Sequence, residues 1–170
     1  MDLGTVVAIV ALIAAAASLT WQRKSTDDQR KARLEDEKEK LAQSGREVAN
    51  LVTQKLALVT ARATKYARLE SQINRLLLAN LSRQDRDALT AHLNRVVTRA
   101  NAYNKQSEEA SQTLSELRRT ADMTSKEKYD ELASAFTKEN IYLENTGDEE
   151  SRGIEADIAR IEAAVSKALQ

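Results

Sequence analysis

Cysteine and proline are absent from this chain, glycine occurs four times in 170 residues, histidine once, and aromatic residues make up 4%. Without cysteine there are no disulfides and no thiolate metal sites, and nothing in the sequence speaks to the redox compartment. Without proline, and with so few glycines and aromatics, the turns and strands of a sandwich or barrel have little to form from. The one histidine, His92, has no second imidazole to share a metal with, and is expected to be structural or at the surface. The Glu-x-x-His signature of di-metal bundles does not occur, nor does a Gly-rich phosphate loop or a G-x-S-x-G elbow. Tyr66, Tyr103, Tyr129 and Tyr142 fall on or near apolar stripes and are expected in the core. No catalytic residue, cofactor, metal or small-molecule substrate is therefore expected, and an enzyme is not.

What the chain has in abundance is Ala, Leu, Glu, Lys, Arg and Gln, the residues that favour helix, so the expected class is all-α. Its 26 basic and 26 acidic side chains cancel overall but are unevenly placed. Segment 62–119 has eleven Lys/Arg against six Asp/Glu, and segment 120–170 has six against twelve. The simplest expectation is that these two blocks fold against each other; the sharper one is that they meet between subunits. Neither forms the dense basic stripe that nucleic acid requires, so a nucleic-acid partner is not expected.

Residues Leu3 to Trp21 (LGTVVAIVALIAAAASLTW) have no ionisable side chain. Nineteen helical residues rise about 28 Å, close to the thickness of a bilayer's hydrocarbon core. Trp21, Arg23 and Lys24 follow as interface anchors, so 1–21 reads as a transmembrane anchor and the bilayer as a partner. Ala15, Ala16 and Ala17 offer an A-x-A cleavage site, but a signal peptide begins with a basic region and this chain begins Met-Asp, so retention is expected. Five basic residues lie between Gln22 and Arg33 and none precedes the span. The positive-inside rule then places the protein in the plasma (inner) membrane with its C-terminal domain in the cytoplasm. Gly4, Ala8, Ala11, Ala15 and Ser18 recur at steps of 4 and 3, a small-residue face through which helices associate in lipid.

Residues 22–45 read as a charged helical stalk continuing from the anchor, with Ser44 and Gly45 the expected joint. Residues 46–170 read as a helical bundle. Val48, Val52, Leu56, Val59, Ala63, Tyr66, Leu69, Ile73 and Leu76 or Leu77 make the first stripe, ending near Asn80. Ser82 and Asp85 form a capping signature that restarts a helix. Leu89, Leu93, Val96, Ala100, Tyr103, Ser107, Ala110, Leu114, Leu117 and Ala121 then alternate in steps of 4 and 3, a heptad seam. Thr124 with Glu127 predicts a further capping box before a helix burying Tyr129, Leu132, Phe136 and Leu143. Asn145, Thr146 and Gly147 read as a C-cap and turn, and the last helix carries Ile154, Ile158, Ile161, Val165 and Ala168.

Short connections predict antiparallel neighbours, hence an elongated four-helix bundle in which a long hairpin meets a shorter one. The length mismatch would leave apolar seam uncovered for a partner chain. The expected function is that of a single-pass membrane scaffold, a homo-oligomer or a subunit of a larger membrane complex. The layout of a short N-terminus, one span and a long polar helix resembles the b subunit of rotary ATP synthases in architecture, which implies a stator or stalk subunit; the capped bundle at 82–170 departs from it. A bacteriophage inner-membrane spanin is also similar in layout, but needs its domain outside the cytoplasm, against the charge asymmetry here. A membrane-tethered regulator or sensor is the remaining alternative.

Overall fold

The computed structural model describes residues 3–121, 124–146 and 148–168, with side-chain surroundings described for 18–121, 124–146 and 149–167. The described residues form four helices: α1 (Leu3–Leu77), α2 (Arg83–Arg119), α3 (Lys126–Asn145) and α4 (Asp148–Ala168). No strand occurs among them. The chain divides into two compact units, 1–43 and 44–170.

The first unit is helical from Leu3 onward. Its described side chains are almost all exposed: Trp21 is 74% accessible and Leu34 is exposed too. A helix that is polar all round must rely on local pairs. One is present, with Lys40 Nζ 2.6 Å from Asp36 Oδ2 at i,i+4. That bond and the Asp36 charge raise the Lys40 pKa. Among the described residues no helix is long and apolar enough to cross a membrane, and the side chains of Leu3 to Ala17, where the expected span lies, are outside them.

The second unit holds the core. At Ser44–Gly45, the expected joint, α1 is helical through both residues, and the boundary between the two units falls between 43 and 44. Gly45 has a packing role. A Cβ at this position would lie 3.2 Å from Cζ and from the hydroxyl oxygen of Tyr129, so the missing side chain lets an α3 ring lie against the α1 backbone. The α1 stripe Val48, Val52, Val59, Ala63, Tyr66, Leu69, Ile73 and Leu76 is buried, and Leu56 and Leu77 are half-buried.

Four residues, 78–81, follow before Ser82 caps α2. The Ser82 hydroxyl accepts from the Asp85 amide at 3.1 Å and donates to Asp85 Oδ2 at 2.7 Å. The cap lies where the S-x-x-D spacing placed it, with the Asp85 carboxylate accepting from the Ser82 hydroxyl and not from its backbone amide. Arg62 beside Tyr103 and Thr60 beside Ser107 show α2 running antiparallel to α1. The second cap falls one residue later than expected. Ser125, not Thr124, accepts from the Lys128 amide at 3.4 Å, while the Thr124 hydroxyl donates back to the Thr120 carbonyl at 2.8 Å.

The arrangement of α3 and α4 departs most from expectation. They are not a hairpin. Contacts from α3 to α1 join Lys55 with Glu139, Leu51 with Asn140 and Gln54 with Glu144, at sequence separations of 84, 89 and 90. From α4 to α1, Arg75 meets Glu162 at a separation of 87. A near-constant offset means that both helices run parallel to α1 and to each other. Against α2 the direction reverses, for Arg99 meets Glu150, His92 meets Asp157 and Asp85 meets Arg160. Helices α3 and α4 thus lie end to end as the third rod of a three-helix bundle within 44–170. An end-to-end pair covers the α1–α2 seam along its length, which a hairpin of two short helices cannot do. Among the described residues of 44–170 the apolar seam expected to stay uncovered is covered, because α3 and α4 add their lengths.

Candidate functional site

The richest polar constellation in the second unit surrounds the junction of α3 and α4. An open groove of about 530 Å³ lies between α1 and α4, lined by Thr64, Lys65, Arg68, Glu155 and Glu162 among others. A second, of about 520 Å³, sits at the junction and is lined by Arg62, Arg99, Tyr103, Tyr142, Thr146 and Glu150 among others.

At the junction most of the charged groups are already engaged. Arg62 Nη1 donates to the Tyr103 hydroxyl at 3.1 Å, with its guanidinium carbon 5.7 Å from that ring's centroid. Arg99 Nε donates to Glu150 Oε2 at 2.9 Å. Beneath them Tyr66, 2% exposed, packs against Tyr103 with ring centroids 5.7 Å apart. The Tyr66 hydroxyl has no protein hydrogen-bond partner among the described residues. Burial first, and then the Glu150 charge, push the Tyr66 pKa up. An ionised phenolate is thus disfavoured, and the group does not offer itself as a base. Further along α2, His92 Nε2 lies 2.9 Å from Asp157 Oδ2, and its Nδ1 has no protein partner among the described residues. Asp157 also approaches Arg160, and Arg160 binds Asp85. Among the described residues no group of three or more His, Cys, Asp or Glu side chains is placed to hold a metal ion. Chemically, this belt can bridge helices and set their register.

The residues singled out from the sequence fall as follows. The seam positions Gly4, Ala8, Ala11 and Ala15 lie outside the described side chains, and Ser18 is exposed. Trp21, Arg23 and Lys24 are exposed on α1. In the heptad seam Leu89, Val96, Ala100, Tyr103, Ala110 and Leu117 are buried, Leu93, Ser107 and Leu114 are half-buried, and Ala121 is exposed. Leu89, Val96, Ala100 and Tyr103 share one apolar cluster with α1 side chains and with Ile154, Ile158 and Ile161 of α4. Those positions are satisfied within the chain. Tyr142 is a correction: expected in the core, it is 66% exposed beside the exposed Ile141. Gly147 lies outside the described residues.

Two positions went unnoticed in the sequence. Asn140 is buried and its Nδ2 donates to the Leu51 carbonyl at 3.0 Å, a side-chain-to-backbone tie from α3 into α1. Ser151 is buried at the start of α4. A signal for both was present, because Phe136, Asn140, Leu143, position 147, Ser151 and Ile154 follow each other in steps of 3 and 4. The period runs on across the junction.

Against protein-family models, curated proteins and solved structures the chain has no match. The class defined here is an all-α protein with a three-helix bundle whose third rod is made of two helices.

Proposed function

We propose that this protein is a membrane-anchored structural or scaffolding protein, held by Leu3–Trp21 and presenting the helical bundle 44–170 on the cytoplasmic side. The observation that carries the reading is the uncharged run of nineteen residues, closed by Trp21, Arg23 and Lys24 and continuous in helix with the charged segment after it. The intrachain use of the heptad seam moves any self-association to the first unit. The small-residue face of Gly4, Ala8, Ala11, Ala15 and Ser18 is its proposed seat. A stator-type subunit shares the anchor and the charged segment, but α2, α3 and α4 packed back on α1 suit a spacer or adaptor better than an extended arm.

Flotation with liposomes tests the anchor. Wild-type chain rises with the lipid, and the double substitution Ile9→Lys with Ile13→Lys leaves it in the dense fractions; a substituted chain that still floats would remove the anchor. Orientation is read from a single introduced cysteine, unique because the natural chain has none. Ser134→Cys, at an exposed α3 position, should react with an impermeant maleimide only after cells are permeabilised. Labelling of intact cells would reverse the topology.

A further inference from the structure

Two hydrogen-bond donors at the junction of α3 and α4 have no anionic acceptor. Arg62 is half-buried, and among the described residues its guanidinium has polar contact only with Tyr103. That contact is a 3.1 Å bond to a neutral hydroxyl, with the guanidinium carbon 5.7 Å from the ring centroid. No carboxylate among the described residues pairs with it, whereas Arg99 in the same groove pairs with Glu150 at 2.9 Å. A half-buried guanidinium has lost part of its hydration. A carboxylate or phosphate restores what one phenol cannot, through two parallel N–H···O bonds.

The second donor is the Tyr66 hydroxyl, one helical turn after Arg62 on α1. Tyr66 is 2% exposed, and its hydroxyl has no protein partner among the described residues. Burial first, then the Glu150 charge, keep the phenol protonated, so it carries an O–H to donate. Both donors belong to one place. The groove of about 520 Å³ at the junction is lined by Arg62, Arg99, Tyr103, Tyr142, Leu143 and Glu150 among others. Tyr66 packs on Tyr103, and beyond burial the charges of Glu150, Arg99 and Arg62 act on its hydroxyl, so it lies beneath this lining. Glu150 is matched by Arg99 and Glu149 is exposed to water, which leaves Arg62 as the unmatched cation. The volume is that of a small-molecule site. Tyr142, 66% exposed, and Leu143 give one wall an apolar face on which a flat ring can lie.

We propose that the α3–α4 junction groove binds a small aromatic oxyanion, a carboxylate or a phosphate ester, whose charged group takes Arg62 and the Tyr66 hydroxyl and whose ring lies on Tyr142. Binding turns Arg62 from the Tyr103 hydroxyl to the oxyanion and gives the enclosed Tyr66 hydroxyl its missing acceptor. The site is independent of membrane attachment and stands whether or not the anchor does.

Isothermal titration of the full chain in a non-ionic detergent tests it with benzoate, phenyl phosphate and, as the uncharged match, benzamide. One equivalent of benzoate or phenyl phosphate should bind per chain, with a dissociation constant below about 1 mM, and benzamide should not. The tighter of the two anions identifies carboxylate or phosphate as the group recognised. Arg62→Gln should weaken binding at least about tenfold and Tyr66→Phe several-fold. Tyr142→Ala, at an exposed position, should also weaken it while leaving the circular dichroism unchanged. Arg68→Gln, in the other groove, should bind as the wild type does. Saturation by neither anion up to about 10 mM, or benzamide binding as well as benzoate, overturns the proposal. So does wild-type affinity in both Arg62→Gln and Tyr66→Phe, or a loss in Arg68→Gln equal to that in Arg62→Gln, which would mark general charge attraction.

Discussion

Single side chains decide several features of this molecule, and the two helical glycines of the second unit make the sharpest comparison. Glycine in a helix interior costs roughly 0.5–1 kcal/mol relative to alanine. At Gly153 a Cβ would meet nothing within 4 Å, so Gly153→Ala should raise stability by about that amount. At Gly45 the same Cβ would press on Tyr129 at 3.2 Å, so Gly45→Ala should gain little, and Gly45→Val should lose roughly 1–3 kcal/mol by overpacking. Thermal unfolding followed by circular dichroism measures all three. Tyr66 separates ring from hydroxyl. Tyr66→Phe should leave the melting temperature unchanged or raise it, because no protein partner among the described residues is lost. Tyr66→Ala should cost about 3–5 kcal/mol through the cavity it leaves. Because its folded pKa is raised, Tyr66 contributes stability that is present below about pH 10 and lost as pH climbs through the higher folded value. Tyr66→Phe should remove that alkaline component from a pH titration of stability.

Helices begin where a side chain can satisfy free backbone amides, and here two serines do so. Removing either hydroxyl, in Ser82→Ala or Ser125→Ala, should cost about 1 kcal/mol, whereas Thr124→Ala should cost less because Thr124 caps nothing. The caps also carry the acid sensitivity. Asp85 has its pKa lowered by the Ser82 hydroxyl and then by Arg160, and Glu127 has its own lowered by its backbone amide and then by Ser125. A depressed carboxylate contributes stability that is complete above its unfolded pKa, about 4, and lost as pH falls through the lower folded value. Unfolding between about pH 4 and pH 2 should therefore be less steep in the double variant Ser82→Ala with Ser125→Ala than in the wild type. At this scale the sequence was legible to within a residue. Ser82 was placed correctly by its S-x-x-D spacing; Thr124 was read as the second cap from its T-x-x-E spacing to Glu127, but its hydroxyl donates to the Thr120 carbonyl and Ser125 caps α3.

At the scale of the whole molecule, replacing Ala11 and Ala15 with leucine should reduce the mass of the detergent-solubilised full-length protein, measured by light scattering, if the small-residue face associates copies. An unchanged mass removes that face from the assembly. Ile158→Ala should destabilise the second unit by roughly 2–5 kcal/mol, since this buried isoleucine belongs to the apolar cluster shared with α1 and α2 side chains. Basic side chains of 62–119 meet acidic ones of 120–170 inside the chain, where Lys65, Arg75 and Arg99 each meet a carboxylate of α4. These exposed pairs contribute little each, but opposite charges along the rods disfavour slipped registers.

From the sequence alone came the class, the helix starts and the buried stripes, because propensity, capping and a repeat of 3 and 4 act within a few residues of chain. A stripe states that a face is covered without stating by what. That Leu89 and Val96 are covered by α1 and α4 of the same chain depends on contacts between residues roughly 65 to 90 positions apart, as in His92–Asp157 and Gln54–Glu144. The junction of α3 and α4 has turn chemistry in sequence, yet the heptad period passes through it, and only packing on a hairpin as long as both helices together chooses continuation over reversal. Tyr142, expected in the core, is exposed, and Asn140, for which the sequence raised no expectation, is buried. Both lie near the apolar face of α3, where the amide of Asn140 reaches the Leu51 carbonyl of α1 and the Tyr142 ring stays exposed.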